Sequence, residues 1–132
     1  MPKTQSEIFE FSNWNELEIA RQMTLTTQFI YCKIDPLELV NAHWTKKDKH
    51  LNSPNVMKLI DRFNRISFWL AEEILAYDNT YQRALVLNKL VEIAVELKKM
   101  ANFNDLVNVL SVFNLLPIGS LKKSFKKVNQ MR

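Results

Sequence analysis

The sequence predicts an all-α domain, an irregular helical array of about six helices. The 132-residue chain contains a single glycine, Gly119, whereas tightly turned sheets and phosphate-binding loops use glycine for its positive φ. Apolar residues recur at three- and four-residue steps over long stretches, as they do on the buried face of a helix. Asp35 with Pro36, and Ser53 with Pro54, combine a capping residue with a proline at the first helical position. These observations favour helices and exclude a Walker-type loop or a dinucleotide-binding fingerprint.

The start of the chain predicts a flexible lead-in followed by a long helix. Residues 1–12 are polar and acidic with scattered aromatic side chains, so we expect them to be flexible. Asn13 or Asn15 can cap a helix that begins at Glu16. Three threonines within residues 24–27 predict a bend in the middle of this helix.

The two cap-plus-proline pairs predict the next helices. The first pair starts a short helix that ends near Ala42, and the polar residues 43–51 are expected to be irregular. The second pair starts a long helix over residues 54–76, with Ser53 as its cap. Its apolar residues at helical spacing are Val56, Leu59, Ile60, Phe63, Ile66, Leu70 and Ile74.

Two further helices follow after short turns. The turn at residues 78–80 contains a cap for a helix over residues 81–100. The apolar residues of that helix cover more than one stripe, so its neighbours must pack around it on several sides. Asn102 or Asn104 caps the next helix, which ends near Asn114.

The last predicted helix, over residues 120–128, is basic. Leu116 with Pro117 ends the helix before it, and Gly119 supplies a turn. Residues 121–132 contain five Lys and Arg and no acid, so the rest of the chain has a net charge of −1 although the total is +4. A basic helix of this kind is usually a solvated surface, and the alternative is contact with an acidic membrane or with nucleic acid.

Composition excludes several classes of protein. Hydrophobic residues at 47% and charged residues at 24% are typical of a globular domain and not of a disordered chain. No apolar run is long enough to span a membrane and no signal-peptide pattern occurs, so a cytoplasmic location is expected. Cys32, His43 and His50 do not form a metal-ligand or nucleophile–base pattern. No metal, cofactor or covalently acting catalytic residue is therefore predicted, and nucleic acid is not the favoured partner because basic residues do not line the whole chain.

The helix predicted over residues 104–114 is apolar on opposite sides, so both sides must be covered. One side can pack on the helix over residues 81–100. The other needs further residues of the same domain or a partner protein. The two stripes consist of Leu106, Val109 and Phe113, and of Val107, Leu110 and Asn114 with Ser111 beside them.

Two asparagine-rich stretches carry most of the functional information. Asparagine is a poor interior helix former, so its repeated use among apolar residues suggests buried polar contacts or a recognition surface. The chain closely resembles the catalytic domain of Ras-type guanine nucleotide exchange factors, the Son-of-sevenless family, from about residue 14 to residue 128. The stretches that carry this resemblance are 17–25 (LEIARQMTL), 44–49 (WTKKDK), 52–64 (NSPNVMKLIDRFN) and 101–114 (ANFNDLVNVLSVFN).

The resemblance implies a partner, a Ras-family small GTPase that is bound preferentially in its nucleotide-free state. In the family, the helices corresponding to residues 54–76 and 104–114 form a shallow apolar bowl with polar edges that grips the switch II segment. Exchange in the family involves no covalent step, so the resemblance implies neither a catalytic side chain nor a cofactor. The candidate GTPase-binding residues are Ile60, Asp61, Asn64, Val107, Leu110, Ser111 and Asn114.

The chain departs from the family at three points. Well-known members have a basic residue where this chain has Asp61, and they commonly read Ser-Ser-Pro-Val-Tyr-Arg where residues 115–120 read LLPIGS. The family domain is about twice as long, and its second half contributes a helical hairpin, the wedge that opens the nucleotide site. Residues 13–132 are thus expected to be a partial exchange-factor domain, truncated before the hairpin.

These departures leave three interpretations of function. The first is an exchange factor, or a fragment of one, that requires the C-terminal half of the domain for full activity and self-associates without it. The second is a non-catalytic module that binds a GTPase or another protein through the same bowl. The third is an adaptor that binds nucleic acid or a membrane through its basic tail.

Overall fold

A computed structural model describes residues 11–132, and all regular structure in that range is helical. The all-α prediction is therefore confirmed. Short 3-10 helices span Phe11–Asn13 and Pro36–Thr45. The α-helices are α1 (Glu16–Tyr31), α2 (Lys49–Asn52), α3 (Pro54–Leu75), α4 (Thr80–Lys99), α5 (Phe103–Phe113), α6 (Leu116–Gly119) and α7 (Lys122–Met131).

Asparagine caps begin three of the long helices, as the sequence predicts. The Asn15 side-chain oxygen accepts hydrogen bonds from the first-turn amides of α1. Asn79 does the same for α4 and Asn102 for α5. A cap of this kind stabilises a helix by about 1 kcal/mol because it satisfies an amide that has no partner within the helix. Helix α1 continues without interruption through residues 24–27, where the bend was predicted.

The prediction that Ser53 caps α3 is wrong. Its hydroxyl makes no cap hydrogen bond; it is fully buried and donates to the backbone oxygen of Glu38 at 2.7 Å. The buried carboxylate of Glu38 caps the helix instead, accepting from the amides of Asn55 at 2.8 Å and Val56 at 3.0 Å. The cap is non-local, since it comes from 17 residues upstream, and local sequence rules could not identify it.

These contacts determine the charge state of Glu38. Burial raises the pKa of this carboxyl group, but the hydrogen bonds donated by Val56, Asn55 and Asp35 outweigh burial. The pKa of Glu38 therefore lies below its ordinary value. A carboxylate at the N-terminus of a helix is also favoured by the helix dipole.

The segment between α1 and α3 differs from the prediction in two respects. The pair Asp35 and Pro36 starts a helix, but it is a 3-10 helix interrupted by non-helical residues 40–42. Asn41 and Ala42 have φ values of 52° and 51°, and this left-handed stretch ends the expected short helix. The residues expected to be irregular contain the short helix α2.

The C-terminal turns also differ in detail. Gly119 is the last residue of the short helix α6, which was not predicted, and its φ is not positive. The left-handed residue in this half of the chain is Ala101, with a φ of 55°, between α4 and α5. The basic helix α7 begins and ends slightly later than predicted.

Helix α4 is the centre of the core. Its residues Ala84, Leu87, Leu90 and Leu97 are fully buried, and α1, α3, α5 and α7 all pack around it. The prediction of a helix covered on several sides is thus confirmed. Burial of a large aliphatic side chain contributes about 2 kcal/mol, so this helix contributes a major share of the stability.

The expected lead-in over residues 1–12 lies outside the described residues except at its last two positions. There Phe11 is only 4% exposed, and its ring packs edge-on against Trp69 with 5.5 Å between ring centroids. The lead-in prediction is therefore wrong at Phe11, because an aromatic ring this buried is part of the core. Within residues 11–132, no helix is both long enough and apolar enough to cross a membrane.

Candidate functional site

The candidate site lies on α3 and α5, which pack side by side through buried polar contacts. Asn108 is fully buried in this interface. Its side-chain oxygen accepts from the hydroxyl of Ser67, and its side-chain nitrogen donates to the backbone oxygen of Phe63 at 3.1 Å. Since both ends of the amide are satisfied, Asn108 fixes the register of α5 against α3.

A buried ion pair lies one turn earlier in α5. Asp105 is fully buried, and Arg62 of α3, 7% exposed, donates to its carboxylate at 2.8 Å. Arg62 also donates to the Thr27 hydroxyl at 2.7 Å and to the Met23 backbone oxygen at 3.0 Å, which brings α1 into the network. The second oxygen of Asp105 accepts from Thr27 at 2.6 Å and Asn102 at 2.7 Å. With its hydrogen bonds satisfied, this pair avoids the large penalty of an isolated buried charge.

The apolar candidates lie on the opposite, outer side of the two helices. Val107 is 57% exposed, Leu110 is 46% exposed and Ile60 is 37% exposed. At the junction of the helices, a small pocket of about 180 Å³ is lined by Leu59, Ile60, Phe63 and Asn104. The outer surface therefore presents aliphatic groups to solvent and not to the core.

The polar candidates frame these aliphatic residues. Asp61 and Asn64 of α3 and Asn114 at the end of α5 are exposed. Ser111 is half-buried, and its hydroxyl donates to the backbone oxygen of Asn108 at 2.7 Å. All seven candidate residues thus lie at or near the surface, so they do not form a buried core.

Exposed apolar residues continue beyond the seven candidates. Leu115 is 36% exposed and Leu116 is 89% exposed, directly after α5, whereas Ile118 is fully buried. Phe103, at the start of α5, is 61% exposed. Contiguous apolar residues at a protein surface are typical of interfaces, so the candidate surface extends along α5 in both directions.

Sequence reasoning missed the buried network. Repeated asparagines indicated buried polar contacts or a recognition surface: Asn102 and Asn108 are buried and hydrogen-bonded, and Asn64 and Asn114 are exposed. Arg62 and Asp105 were overlooked. The signal was present, because each is a charged residue within the apolar pattern of its helix.

Metal-ligating side chains do not cluster in the described part of the chain. Between residues 11 and 132, no group of three or more His, Cys, Asp or Glu side chains could hold a metal ion. Cys32 is exposed at the end of α1. The seven candidate residues themselves offer aliphatic groups, two amides, one hydroxyl and one carboxylate.

Comparison with known proteins gives one family and several relatives. The family model of the RasGEF domain matches residues 18–132. Ras guanine nucleotide exchange factor R of Dictyostelium discoideum is 41% identical over 111 residues, which are 84% of this chain and 6% of that protein. Factor Y of the same organism is 36% identical over 120 residues, 91% of this chain and 8% of that protein.

A vertebrate relative matches over a similar range. The Ras-specific guanine nucleotide-releasing factor RalGPS1 of Danio rerio is 35% identical over 123 residues, 93% of this chain and 21% of that protein. The chain thus spans about a fifth of the length of this relative and under a tenth of the two Dictyostelium proteins.

Proposed function

The chain belongs to the RasGEF domain family, and from this membership we propose that it binds a Ras-family small GTPase and promotes exchange of its guanine nucleotide. The binding surface is the outer side of α3 and α5, which contacts switch II of the GTPase. The observation that carries this proposal is the exposure of Val107 and Leu110 on a helix whose inner side is fixed by buried polar contacts.

The distribution of residues on this surface supports binding to a protein. Interfaces usually concentrate their binding energy in a few apolar anchors and surround them with polar residues that exclude water. Ile60, Val107 and Leu110 are the anchors here, and Asp61, Asn64, Ser111 and Asn114 are the polar surround. The anchors belong to helices locked by the buried network, so little conformational entropy is lost when a partner binds.

The proposed catalysis needs no reactive side chain. An exchange factor accelerates nucleotide release when it binds the nucleotide-free GTPase more tightly than the loaded one. We propose that the surface residues contact a conformation of switch II that bound nucleotide disfavours. The chain therefore prefers the nucleotide-free GTPase.

The extent of exchange follows from the resemblance to the family. There the second half of the domain supplies the wedge, and these 132 residues resemble the half that contacts switch II. We expect this chain alone to bind a nucleotide-free GTPase weakly and to accelerate release little. The C-terminal half of a related domain, added in trans, should restore exchange and cover apolar surface through which the isolated chain self-associates.

The test is a comparison of two pairs of variants matched in exposure. Val107→Asp and Leu110→Asp place a charge among the proposed anchors. Val95→Asp and Leu85→Asp do the same on α4, where these side chains are 44% and 46% exposed. Titration against nucleotide-free Ras, Rap and Ral proteins should show binding lost in the first pair and retained in the second, with equal helical content by circular dichroism.

Two outcomes would contradict the proposal. Parent-like binding by Val107→Asp and Leu110→Asp would show that the GTPase binds elsewhere. Equal loss in both pairs would show that any added charge disturbs binding.

Ser111→Ala and Asn114→Ala should weaken binding less than the aspartate variants, because each removes only hydrogen-bonding groups near the surface.

Within the same proposal, Asp61 determines which GTPase binds to this surface. It presents a carboxylate where better-known members present a basic side chain, so the matching GTPase carries a basic group at the contact. Asp61→Lys should shift preference within the GTPase panel without changing stability. An unchanged order of affinities would show that Asp61 lies outside the contact.

A second candidate function is a binding module without exchange activity. Gly119 and Ser120 favour it, because they stand where family members have a tyrosine and an arginine that help to shape the switch II pocket. Release of a fluorescent guanine nucleotide separates the two candidates. GTPase binding without accelerated release, even with the C-terminal half added, would support the module.

A further inference from the structure

The outer side of α7 is a surface of lysines. Its inner side packs on the core through Ser124 and Val128, which are 2% and 6% exposed. Phe125 turns inward and meets Phe113 edge-on, with 6.0 Å between ring centroids. Positions i and i+4 are neighbours on a helix, and positions i, i+1, i+4 and i+5 together cover an arc of about 140°. On the exposed face of α7 these positions are Lys122, Lys123, Lys126 and Lys127, defined here as the lysine face.

Among residues 11–132, no acidic side chain forms an ion pair with the lysine face. The ion pairs among residues 11–132 join Glu18 to Arg21, Arg62 to Asp105, Glu16 to Lys89 and Glu96 to Lys99. None of them involves a lysine of α7. Lys127 instead lies over the ring of Tyr81, with 5.7 Å from its nitrogen to the ring centroid. Four like charges held together on a rigid helix raise the local positive potential, which favours an anionic partner.

We propose that the lysine face binds the surface of a lipid bilayer that contains anionic phospholipids. Lysine ammonium groups act as point charges and suit a diffuse array of headgroups, whereas base-specific recognition of nucleic acid favours the planar fork of arginine. Tyr81, 52% exposed beside Lys127, is a residue type enriched at the boundary between membrane and water.

The arrangement does not suit a single-stranded nucleic acid. Such binding relies on several exposed aromatic rings interleaved with basic groups, on which successive bases stack. The only aromatic residue of α7 is Phe125, whose ring points into the protein and packs against Phe113. The lipid surface is therefore the partner that the observations favour.

The expected strength is that of a reversible contact. Each lysine near an anionic bilayer contributes about fivefold in partitioning, so the four together give several hundredfold. This is weaker than a lipid anchor and is screened by salt over about 8 Å at physiological ionic strength. Binding should therefore fall steeply as salt is raised. It requires no GTPase, so this proposal does not depend on the function proposed above.

Vesicle flotation tests the proposal with the full chain. The probes are vesicles of phosphatidylcholine alone and of phosphatidylcholine mixed equally with phosphatidylserine. The test variant combines Lys122→Gln, Lys123→Gln, Lys126→Gln and Lys127→Gln. The control variant has the same net charge and combines Lys46→Gln, Lys47→Gln, Lys49→Gln and Lys98→Gln.

The parent and the control variant should float with the mixed vesicles at low salt, and the test variant should lose at least a hundredfold in partitioning. Equal flotation with phosphatidylcholine alone would overturn the proposal. So would equal loss in both variants, which would show that net charge matters and the lysine face does not. Tighter binding to a DNA duplex than to mixed vesicles would assign the face to nucleic acid instead. Circular dichroism of both variants verifies that the helices remain.

Discussion

Helix α5 buries the apolar Val109 and Val112, as a surface helix usually does, but it departs from the usual arrangement at other positions on both sides. Its inner side includes the buried Asp105 and Asn108, each bonded to α3. Its outer side presents Val107 and Leu110 to solvent, although both are apolar. A helix evolved for stability alone would place these types the other way round. The contrast indicates that hydrogen bonds help to fix the position of α5, while part of its aliphatic surface stays exposed to solvent.

The strongest test of this contrast removes one partner of the buried ion pair. Asp105→Ala leaves the Arg62 guanidinium buried without its carboxylate, so we expect unfolding free energy to fall by about 3–5 kcal/mol. Urea denaturation measures the loss. Replacing both residues by apolar ones, as Arg62→Met with Asp105→Leu, should recover most of it. If the single variant is as stable as the parent, the inner side does not depend on this pair.

A weaker test concerns the amide that sets the register. Asn108→Ala removes the amide that bonds to the Ser67 hydroxyl and to the Phe63 backbone oxygen, and leaves these two groups their mutual hydrogen bond of 3.1 Å. We expect a loss of about 1–3 kcal/mol in the unfolding free energy, again measured by urea denaturation. Ser111→Ala, whose hydroxyl is only half-buried and bonds to its own helix, is the matched control and should lose less. Equal losses would contradict the role given to Asn108.

A third test moves to the start of α3, where a buried carboxylate positions the other helix of the pair. Glu38→Gln replaces charged hydrogen bonds by neutral ones, and we expect a loss of about 2 kcal/mol at neutral pH. Because the pKa of Glu38 is lowered in the folded chain from an ordinary 4.5, its contribution is complete above that value. The contribution disappears as the pH falls through the lower, folded-state pKa. The difference between parent and variant should therefore shrink on acidification.

Ser53→Ala is the control for the cap. It removes the hydrogen bond to the Glu38 backbone oxygen but leaves the carboxylate on the amides of Asn55 and Val56. Hydrogen exchange at these two amides should accelerate in Glu38→Gln much more than in Ser53→Ala. If hydrogen exchange at these amides accelerates only in Ser53→Ala, then Ser53 and not Glu38 is the cap.

The smallest expected effect is on the outer side of α5. Val107→Ser with Leu110→Ser removes aliphatic surface that is already exposed, so we expect the unfolding free energy to change by no more than about 0.5 kcal/mol for each residue. A larger loss in urea denaturation would show that these side chains stabilise the chain itself. The contrast between the two sides of α5 would then fail.

Local sequence signals predicted much of this fold because helix caps and apolar spacing are local properties. Asn15, Asn79 and Asn102 lie next to the helices they cap, so composition and position were sufficient. The candidate surface could also be proposed from the sequence. A helix that is apolar on opposite sides must be covered on both, and only one side has an obvious neighbour in the chain.

The missed features all depend on contacts between residues far apart in the sequence. Glu38 caps α3 from the 3-10 helix that is interrupted at residues 40–42, where Asn41 and Ala42 are left-handed. Arg62 and Asp105 are 43 positions apart, and either could have been solvated.

The non-local cap of α3 has a consequence for folding. The amide of Asn55 acquires its partner only after the chain between it and Glu38, 17 positions upstream, has been arranged, so the first turn of α3 forms together with the loop before it. Loop closure becomes more costly only slowly with length, by about 0.6 kcal/mol per doubling, so insertions at the exposed Lys46 and Lys47 are thermodynamically affordable. Such insertions would slow the completion of α3 while leaving its final structure intact. The loop and the first turn of α3 thus fold cooperatively, and α3 presents half of the proposed binding surface.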